Sequence, residues 1–183
     1  MSRDLGRYLT YLLRHHPEDA LLTMDLHGYV PVEQLIENLR AQGRAIDPEI
    51  LDGIVAGDHK QRFRFSPDRR FIKACQGHTI PWVVPELSYP EPPRVLYHGT
   101  SAPAWAKIQA SGAIERMERH AVHMQADPAR AWQSGERWHQ GAVLLEIDAA
   151  AMARDGFSIG VSDNDVWCVQ TVPLKYILSA ARR

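Results

Sequence analysis

The chain has 183 residues, 45% of them apolar, enough to bury a substantial core as one ordinary domain or two small ones. Lysine and arginine number 21 against 22 acids, a net charge of −1 that excludes global attraction to nucleic acid, so any RNA site must be local. Cys75 and Cys168 are the only cysteines, without CxxC spacing, and no apolar run reaches about 18 residues; a cytoplasmic protein with no membrane partner is expected.

Leu5, Tyr8, Leu9, Leu12 and Leu13 lie on one helical stripe, with Ser2 as its cap and Pro17 beyond its end. After the His27-Gly28 turn, Pro31 is read as the first residue of a second helix carrying Val32, Leu35, Ile36 and Leu39. Asp47-Pro48 opens a third, with Ile50, Leu51, Ile54 and Val55 facing inward until Gly57. Beyond Asp58 the period changes to two. Phe63 and Phe65 alternate with Arg62 and Arg64, Ser66-Pro67-Asp68 turns, and Phe71 to Cys75 returns, which predicts a β-hairpin. Three helices followed by a hairpin is the element order of a winged helix.

Prolines 81, 85, 90, 92 and 93 favour an extended connection, and the domain boundary is placed at residues 81–94. The rest alternates apolar runs (Val95 to Tyr97, Ala142 to Ile147, Val166 to Val172) with helices opened at Ser101-Ala102-Pro103 and Asp127-Pro128. The predicted class is α+β, with lobes at 1–80 and 95–183 and no internal repeat.

Several polar groups can carry chemistry. Arg14 and His15 end the first helix, where a positive pair suits the helix dipole and equally suits a phosphate. Lys60, Arg62, Arg64, Arg69, Arg70 and Lys73 form a basic run with the single acid Asp68, either a solvated hairpin or an anion-facing patch. Gln76-Gly77-His78-Thr79 follows a strand as a ligand-contacting turn would, as ordinary turns also do. In Tyr97-His98-Gly99-Thr100 a strand ends in a histidine, a glycine permitting close approach and a hydroxyl at a helix start, a corner that can hold a dinucleotide or simply cap the turn. Arg119, His120 and His123 form a further cluster. No HExxH, P-loop or GxGxxG pattern occurs, so neither a metal, a Walker-type NTPase nor a Rossmann dehydrogenase is expected.

Taken in order, Leu13-Arg14-His15, Lys60-Gln61-Arg62-Phe63, Gln76-Gly77-His78-Thr79, Tyr97-His98-Gly99-Thr100, Met117-Glu118-Arg119, Val122-His123-Met124 and Ser162 to Trp167 resemble the KptA-type RNA 2′-phosphotransferase family from residue 2 to about 177. The resemblance implies a winged-helix lobe followed by an ADP-ribosyltransferase-like lobe. It implies catalytic residues Arg14, His15, Arg62 and Arg119. His98, Gly99 and Thr100 would line an NAD site, with Gly77, His78, His123 and Asn164 nearby. The implied reaction moves an internal RNA 2′-phosphate onto ADP-ribose through a 2′-phospho-ADP-ribosylated RNA, with 2′-phosphorylated RNA and NAD as partners, no metal, no protein partner and a monomeric chain. Charge-assisted hydrogen bonds of roughly 1.5 to 3 kcal/mol each would let three arginines and a histidine supply much of the phosphate recognition. Two departures are visible: Ala121-Val122-His123 where the family commonly has His-Val-His, and Asn164-Asp165-Val166-Trp167 where it commonly has Asn-Gly-Val-Trp. Two rivals stay open, an enzyme on the same scaffold that stops at an ADP-ribosylated nucleic-acid end, and a winged-helix nucleic-acid binder without catalysis.

Overall fold

The computed structural model describes residues 2–137 and 139–183, apart from the side chains of Ser2 and Arg3. The expected Ser2 cap lies outside the described residues. The fold is mixed α and β, with six α-helices and eleven strands among the described residues, and the chain divides into two compact units, Met1–Glu86 and Leu87–Arg183.

The first unit opens with α1 (Ser2–Arg14), a 3-10 turn at Pro17–Ala20, and the short strand β1 (Val30–Pro31). Then come α2 (Val32–Ala41), α3 (Pro48–Ala56), β2 (Phe63–Phe65) and β3 (Phe71–Ala74). Leu5, Leu9, Leu12 and Leu13 of α1 are buried against Leu35, Leu39, Leu51 and Ile72, the stripe its spacing predicts. Tyr8 is only half-buried, with Arg44 stacked 3.5 Å over its ring. Pro31 precedes α2 as its cap position and pairs with Phe71 across the sheet; it is not the first helical residue, because the extended β1 backbone runs straight into the helix. Asp47 caps α3 by accepting from the Ile50 amide at 2.7 Å, but the Ile50 side chain itself is exposed. The antiparallel sheet has the order β1-β3-β2.

Two basic residues of the hairpin depart from a single positive patch. Lys73 is buried, ion-paired with Glu86 and 4.8 Å from the Tyr29 ring, while Arg69 pairs with Asp52 and lies over Phe65. Strand alternation puts Lys73 on the face opposite the core residues Ile72 and Ala74, and its burial there is matched by the Glu86 carboxylate, since an unpaired ammonium would be too costly to bury.

The second unit contains β4 (Val95–Ser101), α4 (Ala102–Ser111), β5 (Ala113–Glu115), β6 (Val122–Gln125), α5 (Pro128–Glu136), β7 (Ala142–Asp148) and α6 (Ala149–Arg154). It ends with β8 (Gly160–Val161), β9 (Val166–Val169), β10 (Thr171–Pro173) and β11 (Ile177–Arg182). Six strands form one antiparallel sheet in the order β11-β7-β4-β6-β9-β8, and β5 pairs with β10 separately. Leu96, Met124, Val143, Leu145, Ile147 and Trp167 supply its core. Ser101 and Asp127 cap α4 and α5, each followed within two residues by a proline in the first turn. Helix α6 and strands β5, β6, β8 and β11 were not expected from the pattern; β5, β6 and β8 are short, β11 is mostly exposed, and α6 is an alanine run without an apolar stripe to mark it.

Gly99 falls inside β4, which continues to Ser101. A Cβ there would lie 1.7 Å from the Ala131 carbonyl oxygen and 3.1 Å from the Gly135 amide nitrogen, and a Cβ on Gly135 would lie 2.6 Å from the Thr100 oxygen. The close approach that this glycine permits is therefore between α5 and β4, backbone on backbone. Gly99→Ala is expected to destabilise the fold by about 3 kcal/mol or more, since backbone must move. Urea unfolding checks this, and a wild-type midpoint would refute the packing account.

Candidate active site

In the first unit three of the sequence motifs meet at the end of α1. The helix stops at Arg14, and the orphan carbonyl of Arg14 accepts from the Thr79 amide at 2.9 Å. His15 Nδ1 lies 2.9 Å from Thr79 Oγ1, so the hydroxyl sets the orientation of the imidazole. Gly77 has φ +87°, and a Cβ on it would come within 3.3 Å of the Arg14 guanidinium carbon. The guanidinium thus lies flat against a bare Cα, and a side chain at 77 would push it away. His78 is buried with its ring against Gly28, which has φ +85° and on which a Cβ would lie 2.9 Å from His78 Nε2, so both backbone and space favour glycine.

Arg62 enters the same neighbourhood through the backbone, because its carbonyl accepts from the Cys75 amide at 2.8 Å, two residues before Gly77. Its side chain is fixed by Asp58, whose buried carboxylate accepts from the Arg62 amide at 2.6 Å, Nη2 at 2.7 Å and Nε at 3.1 Å. Burial pushes the Asp58 carboxyl up, but the hydrogen bonds and charge of Arg62 outweigh it and hold the group below the usual carboxylate range. Such a two-point grip leaves the guanidinium little rotational freedom. Asp58 carried no signal in the sequence beyond marking the end of a helix.

In the second unit a hydrogen-bonded line joins Arg119, His123 and His98. Arg119 Nη1 donates to His123 Nδ1 at 3.2 Å, and the His123 carbonyl accepts from His98 Nδ1 at 2.9 Å. A carbonyl only accepts, so the proton of a neutral His98 sits on Nδ1 and Nε2 is an acceptor. Burial, aided by the charges of Arg119 and Arg137, lowers the His98 pKa, against the opposing pull of the His123 carbonyl. Burial and mutual repulsion with Arg137 also lower the pKa of Arg119, and burial alone that of Arg137. Arg119 is half-buried and Arg137 exposed, so the Arg119 guanidinium is the more desolvated of the two. Arg137 stands out in no sequence pattern. The loop carrying Arg119 is braced by Arg116, which donates to the Arg119 carbonyl at 2.7 Å.

Thr100 is buried in β4, and Asn164 is buried in the turn between β8 and β9, where its Oδ1 lies 2.9 Å from the Ser162 hydroxyl. Asp165 in the same turn adopts φ +60°, left-handed backbone that favours glycine. Gly77, His78, Arg14, His15 and Arg62 belong to the first unit, and His98, Gly99, Thr100, Arg119, His123 and Asn164 to the second. Among the described residues no cluster of three or more His, Cys, Asp or Glu could hold a metal, and no helix is long and apolar enough to cross a membrane.

The family model described as RNA 2′-phosphotransferase, Tpt1/KptA family, matches residues 2–171. This chain belongs to that family. It is 39% identical over 173 residues to a probable RNA 2′-phosphotransferase of Fusobacterium nucleatum, covering 94% of this chain and 96% of that one. It is 37% identical to one of Pseudomonas syringae, covering 97% and 94%, and 35% identical to one of Escherichia coli, covering 95% and 94%. A solved Caulobacter crescentus structure overlaps 48% of this chain and 84% of its own at 17% identity and TM-score 0.38, too slight a likeness to bear on fold.

Asp165 is the position at which the sequence resemblance implies a glycine, and its positive φ is a backbone conformation that favours one. Asp165→Gly is expected to stabilise the chain by about 0.5 to 1 kcal/mol, raising Tm by about 2 °C; a lower Tm in calorimetry would contradict this. Asp58→Asn is expected to cost about 1 to 3 kcal/mol at neutral pH. Because the folded pKa of Asp58 is depressed, the stability it contributes is present above its unfolded value of 3.8 and is lost as pH falls through the folded value. Unfolding curves of wild type and variant should converge below pH 3.8 and stay apart above it.

Proposed function

We propose that this chain is an NAD-dependent RNA 2′-phosphotransferase that removes an internal RNA 2′-phosphate by transfer to ADP-ribose. Products would be RNA with a free 2′-hydroxyl, ADP-ribose 1″,2″-cyclic phosphate and nicotinamide, formed by way of a 2′-phospho-ADP-ribosylated RNA. The observation that carries the reading is the junction of Arg14, His15, Gly77 and Arg62 in a chain matching the family over residues 2–171.

In this reading residues 1–80 form a winged-helix lobe that holds the RNA phosphate, and residues 95–183 an ADP-ribosyltransferase-like lobe that holds NAD, joined through 81–94. The catalytic set is Arg14, His15, Arg62 and Arg119. Arg14, flat on Gly77, and Arg62, gripped by Asp58, present preformed planar donors to a phosphate, which therefore need not be ordered when it arrives. The 2′-phosphate is already an anion, so attack on the ribose needs no strong base, and the Asp58 carboxylate is engaged by Arg62. His15, oriented by Thr79, is suited to handling the proton of the second, cyclising step.

The second-unit residues fit NAD. His98 Nε2, an acceptor on a neutral ring, suits a ribose hydroxyl, and the half-buried guanidinium of Arg119, oriented by His123, suits a pyrophosphate or the migrating phosphate. NAD would supply an electrophilic ribose carbon with nicotinamide as leaving group. Gly99, Thr100, His123 and Asn164 complete the proposed second-unit contacts, with Gly99 acting through the α5 packing it allows, and Gly77 and His78 are the contacts proposed from the first unit.

Labelled RNA bearing one internal 2′-phosphate, incubated with NAD, should give 2′-hydroxyl RNA and the cyclic phosphate. Accumulation of a stable conjugate would favour end ADP-ribosylation, and no NAD consumption would favour a binding module. Arg62→Lys is expected to lower kcat about 100-fold, since lysine cannot keep the fork on Asp58 and donate to phosphate together. His15→Ala should slow turnover of the isolated conjugate, and an unchanged rate there would remove His15 from the second step.

A further inference from the structure

A pocket of about 430 Å³ opens in the first unit between α1, the C-terminal half of α3 and the loop leading to β2. Its walls carry Arg7 from α1 and His59, Lys60 and Arg62 from the loop, and its floor is the buried apolar pair Ile54 and Phe63. Asp58 is the only acid among the lining residues, and Arg62 occupies both of its oxygens. Arg7, His59 and Lys60 are exposed, so the pocket turns the basic side chains of Arg7 and Lys60 to solvent.

We propose that this pocket is a subsite for the nucleotide adjoining the 2′-phosphorylated one, with Arg7 and Lys60 on its backbone phosphate and the apolar floor under its ribose or base. The inference rests on the proposed function, because Arg62 is both a pocket wall and a proposed ligand of the 2′-phosphate, which places neighbouring atoms of one RNA strand at the pocket. The volume lies in the range of nucleotide-sized ligands and far exceeds a lone phosphate. An open groove with cations on its walls and an apolar floor suits a single strand tracked by its backbone.

Gly53 provides an independent pointer to an occupant. It sits inside α3, where glycine is the poorest helix former after proline, yet a Cβ at this position would meet nothing within 4 Å and its φ is not left-handed. Neither packing nor backbone conformation accounts for it. Its bare Cα keeps the pocket wall low, beside Gly57 at the helix end and across from Gly6 on α1.

The test is binding of a fluorescent hexanucleotide with one internal 2′-phosphate, measured by anisotropy without NAD across a salt series. The Arg7→Ala/Lys60→Ala double variant should lose about tenfold in affinity at physiological salt. Its slope of log K against log salt should be shallower by about 1.4, the value for two single-strand phosphate contacts. Gly53→Leu should bind more weakly by obstruction while its Tm equals or exceeds that of the wild type and its salt slope stays unchanged. Wild-type affinity in both variants overturns the subsite. So does an equal loss by the double variant on a 2′-phosphorylated mononucleotide, which would put Arg7 and Lys60 on the reacting phosphate instead. Turnover with NAD is scored separately: lost hexanucleotide binding in the variants, with no turnover by the wild type, keeps the subsite and removes the proposed reaction.

Discussion

The single hydrogen bond from the Thr79 amide to the Arg14 carbonyl organises the first unit around its chemistry. A helix end leaves carbonyls without partners, and here one of them is satisfied by a segment 65 residues further along the chain. That bond, with the Thr79 hydroxyl on His15, lays Gly77 beneath the Arg14 guanidinium and buries His78 against the Gly28 turn. The same segment begins at Cys75, whose amide holds the Arg62 carbonyl. Helix termination, hairpin closure and the placing of three polar side chains are thus one packing problem with one solution.

The two units handle positive charge in opposite ways. In the first, Arg62 is held by a buried carboxylate, which fixes its geometry and depresses the pKa of Asp58. In the second, Arg119 donates to a histidine ring nitrogen of His123 and not to a carboxylate, so that partner brings no opposite charge to it. A clamp of the first kind favours precise orientation of a ligand, and an arrangement of the second kind favours attraction of an anion. Phosphoryl chemistry needs both, because charge must be drawn in and then aligned.

The glycines separate structural from ligand-facing roles. Gly99 and Gly135 are required by the contact of α5 with β4, and Gly28 by φ and His78 together. Asp165 shows what happens when such a position is not glycine, a left-handed residue carrying a side chain in a tight turn. Gly53 alone in this group has neither a neighbour nor a backbone reason.

Helical stripes, caps and the hairpin were legible in the sequence because they arise from interactions within a few residues: Leu5 to Leu13 on one face, Asp47 and Asp127 at helix starts, Phe63 and Phe65 alternating with arginines. The motif order was also enough to point to the family. Strands β5, β6 and β11 were not legible, since each takes its partner from far along the chain, and β8 was not, since it is only two residues long. The inward turn of Lys73, the grip of Asp58 on Arg62 and the link from Arg119 through His123 to His98 were equally hidden. Residue identity determined which groups could bind phosphate, and only tertiary structure decided which are oriented to do so. Orientation depends on hydrogen bonds and burial between segments that local pattern does not connect.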